Sequence, residues 1–485
     1  MSDRHEIVSS LLWKFMERGG VQVTQFIVSI VIARLLLPSA YGAVAILMIF
    51  ISIATVFVQS GLNTALIQKK DADDTDSSSV FFYCIAIAAI VYAVLFFSAN
   101  TISSFFNIPR LTPLLRVLAL TLFPGAINAV QLAILSKRMQ FKKQFYAGII
   151  ACVVSGVAGI IMAYNGFESW ALVAQQLISQ VTICIVLSIL LDWRPKFLIS
   201  FNRTKSLLSF GLKLLGARLI DTIYHNLESL IIGKFFSPAT LAYCNKGKQF
   251  PLTLIDNIDG SIQSVMLPAY SAKQDDTPTV KSMLRRTVSM STYIVFPAMI
   301  ILAVVAKPLI VLLLGERWID ATPYLQLFCV ISMLFPLQTA DLQAINALGH
   351  SGIYFRLIAW KRCLGVVLLV ASVWIWRSPF SVVIAALVVE ILAVLINLPA
   401  NKSVLNYSFA EMAADILPNL ALSIIVGGFC WSISLVISSN WILIVSQCFL
   451  GIFLYLIGSV LSKNSSLNYL ISFLPNSKFK KALKL

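Results

Sequence analysis

The sequence predicts an all-α polytopic membrane protein with 14 transmembrane helices, arranged as two parallel-repeat six-helix bundles plus two extra helices. Three observations carry that fold class. Apolar runs of about twenty residues recur along the whole chain, and each is long enough to cross ~30 Å of hydrocarbon as a helix. Of 485 residues, 59% are hydrophobic and 12% charged, with a mean hydropathy of +0.87, whereas soluble domains carry roughly a quarter charged residues. The first six runs also align with the next six, at offsets of 200, 210 and 212 residues. A membrane barrel would instead show alternating segments of ~10 residues, and these runs are continuously apolar.

In the opening stretch MSDRHEIVSSLLWKFMERGG, Lys14, Glu17 and Arg18 interrupt any apolar core before a small-residue cleavage site. A cleaved signal is therefore not expected, and span 1, about 11–36, stays in the chain. Span 2 (41–66) follows the tight return LPSAYG at 37–42. The string DADDTD at 71–76 lacks the Gly and Glu that a calcium loop needs at its sixth and twelfth positions, which hold Asp76 and Phe82. Its acids instead suit the N-terminus of span 3 (79–104), where the helix dipole favours negative charge. Spans 4 to 6 are expected at 112–136, 143–165 and 168–190. After a polar link come spans 7 to 12, at 207–234, 238–270, 285–314, 320–348, 352–376 and 379–399. Spans 13 and 14 (412–437 and 440–461) fall outside the repeat and are expected as charge-free, lipid-facing additions. The domains are then 1–200, 201–400 and 401–485, the last being two additional helices with a basic tail. Eight scattered cysteines with no C-x-x-C and no histidine cluster make neither a disulfide framework nor a metal site.

The basic residues orient the spans. With the N-terminus inside, 22 of the 37 Lys and Arg fall in cytoplasmic segments, and only Arg110, Lys234, Arg317 and Arg377 fall outside. This positive-inside bias places both termini in the cytoplasm. It also accounts for the net charge of +16, which faces anionic membrane lipid and excludes nucleic acid as a partner. The terminal KFKKALKL reads as a lipid-surface tail.

The repeat is legible residue by residue. Arg18 aligns with Arg218, Ser29 with Ser229, Ile32 with Ile232 and Pro38 with Pro238. LFPGAINAVQLAIL at 122–135 resembles LFPLQTADLQAINAL at 334–348, and LTPLLR at 111–116 echoes ATPYLQ at 321–326. Six spans per copy is an even number, so both copies face the same way. Folds built on such parallel repeats place a substrate path at the interface of the halves.

Eleven cations lie within spans or at their edges, against seven acids (Glu17, Asp221, Glu228, Asp256, Asp259, Asp341 and Glu390). A charge at mid-membrane costs at least ~2.5 kcal/mol, so these residues face each other or water. Arg18, Gln22, Gln25 and Ser29 share one side of span 1. Arg218, Asp221, His225 and Glu228 follow at i, i+3, i+7 and i+10 on span 7. Both stripes read as walls of a shared polar cavity. The alternative, interhelical salt bridges such as Arg218–Asp221, stays open. The excess of positive charge suggests an anionic visitor, and Arg and Lys both suit phosphate. Arg34, Arg116, Lys234, Lys307 and Arg317 lie near outer span ends, where such side chains snorkel to the interface. No P-loop, H-E-x-x-H or G-x-S-x-G occurs, so neither a catalytic residue nor a cofactor is expected.

IARLLLPSAYG, VQSGLNTALIQKK (58–70), VMLPAYSA (265–272) and LLLGERW (312–318), in that order and spacing, resemble the bacterial Wzx-type polysaccharide transporters. These belong to the multidrug/oligosaccharidyl-lipid/polysaccharide exporter superfamily, and the likeness, nearest to the colanic-acid-type exporters, covers nearly the whole chain. The resemblance implies a flippase for undecaprenyl-pyrophosphate-linked oligosaccharides in the bacterial inner membrane, with alternating access around a cationic cavity. It implies cavity cations on spans 1, 7, 8 and 11, where Arg18, Arg218, Lys246, Lys248, Lys361 and Arg362 stand. It also implies a polysaccharide polymerase and a chain-length regulator as partners. Asp221, His225, Glu228, Asp256, Asp259 and Asp341 are then candidates for coupling to H+ or Na+, a histidine between carboxylates being suited to titration near neutral pH. A cation-coupled drug exporter of the same superfamily is an alternative, but it would want a net-acidic cavity. A membrane-embedded glycosyltransferase or polymerase is another, but the outer loops are too short for its expected extramembranous part.

Overall fold

The computed structural model describes residues 2–59, 61–69, 73–197, 201–437, 439–464 and 466–467. Side chains are described at all of these except 2–12, 14–15, 17–18, 201–210, 213 and 261. No strand occurs among the described residues. The chain runs through α1 (Ser2–Leu35), α2 (Pro38–Gln59), α3 (Leu62–Gln68), α4 (Asp74–Phe106), α5 (Leu111–Leu118), α6 (Leu122–Lys137), α7 (Phe141–Tyr164) and α8 (Ser169–Leu190). It continues through α9 (Phe201–Phe235), α10 (Pro238–Ser271), α11 (Thr277–Val304), α12 (Ala306–Leu314), α13 (Thr322–Met333) and α14 (Phe335–Ala347). The last four are α15 (Ser351–Trp376), α16 (Pro379–Leu405), α17 (Phe409–Ile433) and α18 (Asn440–Leu461).

Local chemistry sets the ends. Pro38 and Pro238 open α2 and α10, where a missing N–H is tolerated. Asp73 and Asp76 form a capping box at the start of α4, and Lys69 donates to Asp76 at 2.5 Å. The acids of 73–76 thus do sit at a helix N-terminus. Asp276 caps α11, and the Thr279 hydroxyl and N–H hold its carboxyl below the usual carboxylate range. Asn107 and Asn406 adopt left-handed backbone to end α4 and α16.

Among the described residues, eleven helices or helical runs are long and apolar enough to cross a membrane. α1, α9 and α10 hold 34, 35 and 34 residues but fall outside that set. In α9 and α10 the charges, the ones the sequence placed on polar stripes, are too dense for a purely apolar window, while the described stretch Gly19–Leu35 of α1 is apolar but shorter than the eighteen residues of such a window.

The helices form two compact units, Met1–Ala242 and Tyr243–Leu485. In the first, α7 lies between α1 and α8, α4 packs on α5 and α6, and α2 on α9. Gly148 and Gly156 of α7 let it approach Val21 and Val28 of α1 closely, the small-residue packing typical of helices in lipid. In the second, α11 packs against α13, α14 and α17, while α16 lies against α13, α14 and α15.

The expectation for spans 13 and 14 is corrected. Asp415 lies inside α17 and receives two guanidinium nitrogens of Arg285 at 2.8 Å each and the Tyr407 hydroxyl at 3.0 Å. One turn on, Asn419 donates to the Ser289 carbonyl and the Thr292 hydroxyl at 3.0 Å. Asn419, Ser423 and Gln447 are buried. Composition hides this stripe at i, i+4 and i+8, which docks α17 onto α11, while Phe429, Trp431, Trp441 and Phe449 on the other faces stay exposed. Since Arg285 and Asp415 neutralise each other, the excess of cations over acids inside the spans is unchanged.

Candidate functional site

In the second unit, four helices bring charged and amide side chains together. On α14, Gln338 and Asp341 stand three apart and share a face. On α16, Glu390, Asn397 and Asn401 follow at spacings of seven and four, within about 40° of one another around the helix. The Gln338 amide bridges two charges, donating to Glu390 at 2.5 Å and accepting from the Lys361 ammonium at 3.3 Å. Lys361, Arg362 and Lys248 all lie close enough to Glu390 to act on it electrostatically. Lys248 also sits 5.4 Å from the centroid of the Phe328 ring, a cation–π contact.

Asp341 is more enclosed still. Its carboxyl is 1% exposed and feels the Lys361 charge, and it faces the amides of Asn397 and Asn401, both wholly buried. Yet Asp341 Oδ1 and all four amide atoms of the two asparagines lack a well-formed hydrogen bond. Buried polar atoms in folded proteins are normally paired, and each exception calls for a reason. On the same helix, Thr339 donates to Asp259 of α10 at 3.2 Å.

Two lysines on α10 are set by close backbone approach. Gly247 lies against α13 so tightly that a Cβ would fall 2.7 Å from the Leu325 nitrogen and 2.8 Å from Tyr324 Cβ. Its neighbour Lys246 is buried and donates to Gln249 at 3.2 Å. Gly247→Ala is expected to cost about 1–3 kcal/mol through over-packing and to displace Lys246 and Lys248 together. A lowered thermal midpoint of the solubilised protein, with lowered transport, checks this.

The predicted residues therefore divide. Lys361, Arg362, Lys248, Asp341 and Asp259 gather in the second unit, with Lys246 on the same helix as Lys248, and Asp256 is exposed on α10. Arg218, Asp221, His225 and Glu228 belong to α9 in the first unit. There Arg218 reaches the Thr64 hydroxyl at 3.4 Å, and His225 stands 3.4 Å from Asp221. These three are exposed while Glu228 is buried. The side chain of Arg18 lies outside the described residues. Of the span-end cations, Arg116 lies over Phe96 at 4.3 Å and Lys234 over Phe105 at 4.0 Å, Lys234 also donating to the Phe105 carbonyl. Sequence reasoning assigned Glu390 no role and passed over Gln338, Asn397 and Asn401. The polar stripe of α16, visible as period-seven spacing in an apolar run, was the signal.

Comparison with known proteins agrees with this architecture. The family described as polysaccharide biosynthesis protein matches residues 31–323. The succinoglycan biosynthesis transport protein ExoT of Rhizobium meliloti is 22% identical, over 71% of this chain and 69% of its own length. The lipopolysaccharide biosynthesis protein WzxC of Escherichia coli is 23% identical, over 69% and 68%. Among solved structures, the lipid II flippase MurJ in an inward closed conformation superposes with a TM-score of 0.75 at 14% identity, covering 93% of this chain and 98% of that one. A multidrug resistance MATE family transporter of the MOP superfamily, inward-facing, gives 0.59 at 15% identity, over 78% and 95%. The relatives thus carry the Wzx-type names that the sequence motifs resemble, and the solved neighbours share a fold of many membrane helices. The chain belongs to the polysaccharide biosynthesis protein family, as a multi-span membrane protein whose fold resembles those of the solved MurJ and MATE proteins.

Proposed function

We propose that this protein is a non-enzymatic transporter that carries undecaprenyl-pyrophosphate-linked oligosaccharides across the bacterial inner membrane for surface polysaccharide synthesis. One observation carries the reading most: Lys248, Lys361 and Arg362 converge on a single carboxylate inside membrane helices of a polysaccharide biosynthesis family member. Moving a diphosphate unaided through hydrocarbon is prohibitive, and fixed cations lower that cost. In this reading Arg18, Arg218, Lys246, Lys248, Lys361 and Arg362 hold the pyrophosphate or acidic sugars. The 14 spans, the two six-helix repeats with alternating access, the cytoplasmic termini and the polymerase and chain-length partners belong to the same proposal.

Coupling to H+ or Na+ fits the acids. Asp341, with one carboxyl oxygen unpartnered beside two orphaned amides, presents the hard oxygen donors a small cation or proton takes. Such a cation competes with Lys361 for Asp341. Binding it frees the lysine for an anionic substrate, and its departure returns the lysine to the carboxylate, which is the logic of antiport. Asp221, His225, Glu228, Asp256 and Asp259 remain the further candidates.

The test is to replace Arg18 and Arg218 by glutamine, singly and together. Polymer export is expected to fall at least tenfold in the double variant, with lipid-linked intermediate building up in the cytoplasmic leaflet. Normal export would sink the assignment of these two residues. Normal export together with altered drug sensitivity would sink the flippase reading.

A further inference from the structure

Within the first unit, α2, α6, α8 and α9 line a cavity of about 410 Å³, a volume typical of small-molecule sites. Its polar wall includes Ser52, Thr55, Gln59, Asn128, Gln176 and Gln180, and none of the described lining residues is charged. The hydrogen bonding gives this wall a definite polarity. Ser52 and Thr55 donate their hydroxyl hydrogens to the Ile49 and Ile51 carbonyls at 2.8 Å, so towards a guest they act as acceptors. The Asn128 amide nitrogen is committed to the Gln180 carbonyl and side chain, 3.0 Å from each. Asn128 Oδ1, on a side chain 4% exposed, has no partner. The cavity therefore offers acceptors beside the amide donors of Gln59, Gln176 and Gln180, with no charge among its described lining residues.

We propose that this cavity is a subsite for one uncharged sugar ring of the transported oligosaccharide, an inference that rests on the function proposed above. A sugar ring is dense in hydroxyls, each of which can donate to the acceptors of this wall and accept from its amides. Phosphate and carboxylate groups bring acceptors only and meet no cation here, and a cationic drug meets no carboxylate. Met48, Ile51, Leu122 and Ile183 complete the lining and suit the C–H face of a pyranose. The space exists because α6 carries glycine at its rim: a Cβ on Gly125 would meet no atom within 4 Å. In this arrangement the charged residues hold the anionic part of the substrate and the neutral cavity holds a sugar.

Gly125→Leu fills the cavity from a position where its Cβ clashes with nothing, and Asn128→Leu removes the orphaned acceptor. The purified full chain in nanodiscs is titrated with glucose, galactose, N-acetylglucosamine and inorganic pyrophosphate, and both variants are followed for export in cells. At least one neutral sugar is expected to bind the parent chain and to bind both variants at least tenfold more weakly, with pyrophosphate binding unchanged. In cells, Gly125→Leu is expected to accumulate lipid-linked intermediate. The absence of sugar binding to the parent, or equal binding to Gly125→Leu, overturns the subsite while leaving the transport reading intact. Loss of sugar binding with full export also overturns it, since the cavity would then serve a free saccharide. The Arg218 variant reports on the transport reading separately, because Arg218 does not line this cavity.

Discussion

Lys361→Met is expected to destabilise the second unit by about 3–5 kcal/mol, the range for removing one partner of a buried charge set. Lys361 is itself buried and stands between two acids, Asp341 and Glu390, which it reaches electrostatically. Its ammonium is also the donor to Gln338, whose other end donates to Glu390. Without it, Gln338 loses one of its two partners and Asp341 loses its counter-charge beside two amides poorly placed to bond to it. The double variant Lys361→Met/Asp341→Asn removes both charges and is expected to recover most of the loss, as buried pairs replaced together often do. Transport should stay absent in the double variant, because the site then has neither its cation nor its carboxylate. Thermal unfolding of solubilised protein together with export in cells checks both halves. A single variant as stable as the parent would show that Lys361 is not the counter-charge of this cluster, and a transporting double variant would remove the pair from the mechanism.

The fold was largely legible because membrane solvation acts on composition. A run of twenty apolar residues has few alternatives to a spanning helix, so most helices appear where hydropathy put them. α9 and α10 depart from the apolar criterion for a physical reason: Arg218, Asp221 and Glu228 on the one, and Lys246, Lys248, Asp256 and Asp259 on the other, give them a polar face. The site was legible only in part. Charges announce themselves in an apolar sequence, so Lys361, Asp341 and Lys248 could be named without coordinates. Which of them meet depends on helix rotation and on contacts between α14, α15 and α16 that a one-dimensional pattern does not encode. Neutral amides were harder. Asn397 and Asn401 carry no charge to draw notice and matter because their amides face Asp341. Asp415 was missed for another reason, being a single acid near the start of a strongly apolar run and paired with an arginine counted among the cytoplasmic cations at the start of span 9.

Gly42→Ala is expected to be the most damaging single-methyl change in the first unit, costing about 3 kcal/mol or more, at the upper end for over-packing. A Cβ there would lie 1.7 Å from the Pro238 carbonyl oxygen, 2.3 Å from its carbon and 2.8 Å from its Cα. All three are backbone atoms, so no rotamer change relieves the clash, and the start of α2 must move away from the start of α10. Gly216→Ala is the control, since its Cβ meets nothing within 4 Å on the helical α9 and should stabilise slightly, by about 0.4–1 kcal/mol. Membrane yield and thermal midpoint of the two variants compare them directly, and equal behaviour would mean the close approach does not exist in the folded protein. The sequence offers a comparison at the 200-residue offset that pairs Pro38 with Pro238, where Gly42 falls opposite Ala242. A methyl group is thus present after the second proline, whereas after the first a backbone carbonyl occupies the space where a side chain would begin.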